Sequence, residues 1–94
     1  MTSWKDCPVT TYWPDETDGT CEVRITGAEI VVSYNDEGRW LTYKGHEVAS
    51  GHYELTCPEI EGEATLHRSS DGEWLEGFWA EATDEGMWRI QLSE

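Results

Sequence analysis

The chain reads as an all-β protein, a small antiparallel up-and-down barrel of seven to eight short strands. Three observations predict this. Apolar residues recur at every second position in one segment after another. Turn-forming clusters separate these segments at intervals of ~8–12 residues, and no segment keeps the i, i+3, i+4, i+7 spacing of an amphipathic helix beyond one turn. A β-sandwich is the alternative arrangement of the same strands. The short connections favour pairing between consecutive strands, and such a meander removes its exposed edges by closing on itself.

The alternation is clearest from Gly72 to Leu92. Leu75, Gly77 and Trp79, then Trp88, Ile90 and Leu92, fall on one face of a hairpin around Ala82-Thr83-Asp84-Glu85-Gly86, with Glu76, Glu81, Arg89 and Gln91 among or beside them. By parity Trp79 and Trp88 belong to the core.

Taken in order, residues 1–19 are an N-terminal segment with one short strand, and residues 20–92 are the barrel meander. Met1 to Asp6 is a polar lead-in containing Trp4. Val9 to Trp13 is the short strand, stopped by Pro14, which has no N–H for a ladder. Asp15 to Gly19 is a loop by composition. Cys21, Val23 and Ile25 face one way, and Gly27-Ala28 suits a two-residue type II′ hairpin because glycine supplies the positive φ. Ile30, Val32 and Tyr34 return on the same face. Asn35-Asp36-Glu37-Gly38 is the strongest turn signal. Leu41 and Tyr43 point inward from the next strand, which Lys44-Gly45 interrupts as a bulge. Tyr53, Leu55 and Cys57, then Ala64 and Leu66, complete the inward set. Gly51, Gly62, Gly77 and Gly86 stand where a barrel needs sharp bends.

Ninety-four residues make one domain, and 6 basic against 20 acidic residues leave a formal charge of −14. A field of that sign repels nucleic acid and anionic membrane, so direct binding to either is not expected. It also suits a solubilising coat, or an acidic surface that competes with nucleic acid for a basic partner. Six Trp, four Tyr and one Phe supply enough apolar mass for one core, since each buried ring removes ~150–250 Å² from water. With so many rings directed inward, a solid core is expected rather than a roomy cavity.

Cys7, Cys21 and Cys57 lack CxxC spacing and allow one disulfide at most. No basic stretch followed by an apolar one opens the chain, and no apolar run approaches ~18 residues, so the cytoplasm is the expected compartment.

Glycine followed closely by an aromatic residue recurs along the meander: Gly51-His52-Tyr53-Glu54-Leu55, Gly77-Phe78-Trp79 and Gly86-Met87-Trp88-Arg89-Ile90. This resembles the strands of the calycin group, the lipocalins, fatty-acid-binding proteins and avidins, over roughly Thr20 to Leu92. The resemblance implies a ligand in the mouth or interior of the barrel. It carries no ligand-binding residues over, since no set of polar residues here matches a biotin site.

No cofactor or metal is expected, because the close histidine pair in sequence, His46 and His52, lacks the paired-ligand spacing of a zinc site. Nor does the sequence assemble a nucleophile, a base and an oxyanion donor, so the chain is read as a non-enzyme. The candidate site is instead aromatic. Trp40, Trp74 and Phe78 fall on the outward parity, flanked by Arg39, Glu73 and Glu76, and exposed rings rimmed by acids mark a binding surface. The reading is a non-enzymatic acidic binding module that holds a protein partner or a small ligand on that patch. Its alternatives are an acidic nucleic-acid mimic that inhibits a basic partner, and a calycin-like carrier with its ligand inside the barrel.

Overall fold

A computed structural model describes residues 2–13, 15–36 and 38–92, without the side chain of Asp36. The stop assigned to Pro14 and the Glu37 position of the turn lie outside them. Eight strands follow one another around a closed barrel: β1 (Thr2–Trp13), β2 (Thr17–Thr26), β3 (Glu29–Asp36), β4 (Arg39–Ala49), β5 (His52–Cys57), β6 (Gly62–Arg68), β7 (Trp74–Ala80) and β8 (Glu85–Gln91). Each strand pairs antiparallel with the next, and β1 pairs with β8 to close the ring, with Val9 opposite Ile90 and Thr11 opposite Trp88. The sandwich alternative is overturned by this closure. A 3-10 turn, Pro58–Ile60, bridges β5 and β6, and no described residue is α-helical.

Away from register shifts in β1 and β4, every second residue of a strand points inward, as the alternation requires. Val23, Ile30, Val32, Leu55, Leu66, Leu75 and Ile90 are all buried, and each contributes roughly 1.5–3 kcal/mol by leaving water. Trp88 is 5% exposed, while Trp79 is partly buried and packs against the same cluster. The Gly27-Ala28 hairpin has Gly27 at φ +60° and pairs Thr26 with Glu29, the geometry its sequence demands.

Two sequence expectations fail, both on backbone grounds. The N-terminal segment is no polar lead-in with a short strand. β1 is twelve residues long and forms a full wall of the barrel, and β2 already begins at Thr17 inside the expected loop. A register shift between Trp4 and Cys7 puts a bulge at Lys5-Asp6. That one extra residue inverts the parity, so both Trp4, on an even position, and Cys7, on an odd one, pack against the core.

Gly45 is no bulge either. β3 and β4 stay in register through it, and the shift falls against β5, between Glu47 and Ala49, leaving Val48 half exposed. Gly45 is needed because β5 passes so close that a Cβ there would overlap the Glu54 carbonyl. Gly77 meets the same constraint from the Thr65 carbonyl of β6, so these two positions let the wall coil.

Cys7, Cys21 and Cys57 are all buried, and none of them is in a disulfide. Cys7 lies directly opposite Cys21 across β1 and β2. Burial first, and the neighbouring Cys7 second, push the Cys21 thiol up to about 12.

Candidate functional site

The outward-facing residues of β7, β8 and β1 form one aromatic strip. Strand register sets its rows. Phe78 of β7 lies opposite Met87 of β8, and Met87 lies opposite Trp13 of β1. One step along the wall, Glu76 pairs with Arg89, and Arg89 with Thr10. The next row brings Trp74 opposite Gln91. A second register shift in β1, between Thr11 and Trp13, leaves Tyr12 beside these rows.

Arg89 ties the strip together. Its guanidinium carbon lies 5.1 Å from the centroid of the Trp74 ring and 5.9 Å from that of Tyr12, and Nη1 is 3.9 Å from a Glu76 carboxylate oxygen. The aliphatic stem and planar head of an arginine suit this bridging of two rings. Trp13 is 49% exposed, and Tyr12 and Phe78 are each 37% exposed. Among the described residues, these three account for most of the large hydrophobic side chains that the barrel shows to solvent, the others being Trp40 and Val48.

Of the five residues expected at the site, the fold gathers Trp74, Phe78 and Glu76 on β7 and separates the other two. Trp40 and Arg39 stand on β4, with β5 and β6 between them and β7. Trp40 faces solvent by itself at 61% exposure, and Arg39 reaches Glu59 of the 3-10 turn at 3.4 Å. Parity along a strand predicts which way a ring points, but it does not say which strands share a wall. Tyr12, Trp13, Met87 and Arg89 complete the strip and were not in the expected set. The signal that finds them is the closure of β1 onto β8, which lays the Tyr12-Trp13 pair beside Met87 and Arg89.

No protein-family profile, curated protein or solved structure matches the chain.

A second feature sits at the end of the barrel where β1 turns into β2 and β7 into β8. Here the interior is not filled. A cavity of about 450 Å³ opens among Val9, Thr11, Gly19, Tyr34, Tyr43 and Trp88, with Trp79 and Glu81 on its wall. The solid core expected from the sequence therefore ends below the mouth, where inward threonines and glycine take the place of large apolar side chains. Tyr34 and Tyr43 stack with ring centroids 6.3 Å apart, and Tyr43 meets Trp88 at 5.7 Å. Both hydroxyls donate to Oε2 of Glu81, Tyr43 at 2.9 Å and Tyr34 at 3.4 Å. Burial, and then the bond to the Glu81 carboxylate, hold the Tyr43 phenol far above its ordinary range, so it stays a donor.

Histidine contributes on the outer wall. His52 and His67 face each other across β5 and β6, with ring nitrogens 3.2 Å apart. His46 lies in register with Glu54, away from that pair. Among the described residues no group of three His, Cys, Asp or Glu side chains is arranged to hold a metal ion. No helix there is long and apolar enough to cross a membrane.

Proposed function

We propose that the protein is a binding module that docks a partner protein on the strip formed by Tyr12, Trp13, Trp74, Phe78, Met87 and Arg89. The observation that carries this reading is the in-register row Trp13–Met87–Phe78, which sets three large side chains side by side on an outer wall. Aromatic, Met and Arg side chains are the types enriched at interface centres, and aromatic and Arg anchors carry most of the binding energy there. An open strip of exposed rings suits a second protein surface. The chain as a whole has 20 acidic against 6 basic residues, so a complementary partner presents basic side chains around the rings.

The test is capture of partners from the native host with wild type and two variants. Phe78→Ser should weaken capture by about 30-fold, the effect of a hot-spot residue worth ~2 kcal/mol. Trp40→Ser, on a distant wall, should leave it unchanged. Equal loss in both variants, or in neither, would overturn the reading. A salt titration separates the strip from a purely acidic mimic. Affinity that rests on rings falls only modestly with ionic strength, whereas affinity that rests on carboxylates collapses.

A further inference from the structure

We propose that the mouth of the barrel is a second binding site, specific for a small organic ammonium ion: a protonated amine carried on an aromatic or aliphatic body. The cavity of about 450 Å³ lies within the size range of small-molecule pockets. Its chemistry sets the class of ligand. Tyr34, Tyr43, Trp79 and Trp88 line it with aromatic rings, a residue type whose π-faces attract cations. Glu81 is fixed in the cavity wall by two hydroxyl donors, both of them on Oε2. None of the described lining residues is a Lys, Arg or His. Negative charge in a partly enclosed aromatic pocket thus stands without a cation from the residues that line it.

Other ligand classes fit poorly. An anion would meet the Glu81 carboxylate and the field of a chain with net charge −14. A neutral apolar ligand would strip water from Glu81 and return no donor, at the cost of a poorly compensated charge. An ammonium ion pairs with the Glu81 carboxylate and lies against the rings, and the surrounding field raises its local concentration. This inference does not depend on the outer strip.

The six tryptophans provide the assay, since each indole N–H gives its own signal in a nitrogen–proton correlation spectrum of labelled protein. Three probes of matched shape are titrated: phenethylammonium, the uncharged phenylethanol and the anion phenylacetate. Phenethylammonium should shift the Trp79 and Trp88 signals saturably, with an apparent affinity at least about 10-fold above that of phenylethanol, equivalent to ~1.4 kcal/mol. Phenylacetate should leave the spectrum unchanged. Glu81→Gln, which keeps an oxygen for the two tyrosines, should weaken the cation by a similar factor. Glu29→Gln, with the same loss of charge at the far end of β3, should not. Four results would each overturn the proposal: no saturable shift, shifts confined to Trp13, Trp40 or Trp74, equal binding of phenylethanol, or equal loss in the Glu81 and Glu29 variants. The comparison of probes on wild type stands even if Glu81→Gln does not fold.

Discussion

Tyr43, near the middle of β4, donates its hydroxyl to Glu81, in the loop between β7 and β8, at 2.9 Å. Thirty-eight residues separate the two in sequence, and the bond joins opposite walls of the barrel across its open end. A hydrogen bond to an ionised partner contributes about 1.5–3 kcal/mol. Tyr43→Phe is therefore expected to lower stability by about that amount, read as a fall in the urea midpoint with an unchanged slope. Tyr34→Phe, whose bond is 3.4 Å long, should cost less than about 1 kcal/mol. Equal losses would show that the shorter bond is not the stronger one.

Alkaline pH should unfold the barrel through Cys21. Burial raises this thiol from 9.0 to about 12 in the folded chain. A group raised on folding contributes stability that is complete below its unfolded value and disappears as the pH climbs through its folded one. The denaturation midpoint should therefore hold below pH 9 and fall between pH 9 and 12, with Tyr43 adding in the same direction at the top of that range. Cys21→Ala should flatten the lower part of the fall.

Glycine at position 77 is required by the backbone of the adjacent strand, and glycine at 19 is not. Gly77→Ala forces a Cβ into the Thr65 carbonyl, and overpacking of this kind against main chain should cost about 3 kcal/mol or more. Gly19→Ala meets only a Val9 methyl at 3.8 Å, ordinary contact. Its stability should stay within about 0.5 kcal/mol of wild type. Thermal unfolding of the two variants side by side checks the contrast.

Added salt should stabilise the protein. Its described ion pairs, Arg24–Glu22, Arg39–Glu59 and Arg89–Glu76, involve side chains that are all about a third or more exposed, and pairs of this kind contribute about 0–1 kcal/mol. Repulsion among 20 acidic residues outweighs them. Raising ionic strength from about 0.01 to 0.15 M shortens the screening length from ~30 to ~8 Å and relieves that repulsion. A gain of about 1 kcal/mol would lift Tm by about 4–8 °C at this chain length. A falling Tm would mean that the ion pairs dominate instead.

Much of this architecture was legible because period-two apolarity is local. The inward faces of β2 to β8, the type II′ turn at Gly27 and the outward aim of Trp40, Trp74 and Phe78 all follow from residues within a few positions of one another. What was not legible depends on contacts distant in sequence. A bulge at Lys5-Asp6 hides Trp4 and Cys7 from any parity rule. Trp40 parts from Trp74 only because two strands intervene around the ring. Gly45 looks like an interruption until β5 is laid against it. The mouth lies open because Thr11, Gly19 and Thr17 converge from two strands, and nothing in either strand by itself reports that they are too small to fill it.

The pairing of Val9 with Ile90 has a consequence for how the chain acquires its shape. A meander can add its strands one at a time, but the seam between first and last can form only when all eight are in place. Until then β1 and β8 each carry a bare row of amides and carbonyls, open to any other extended chain. Deleting β8 would therefore leave two sticky margins where the intact ring has none, and the shortened chain should precipitate rather than fold.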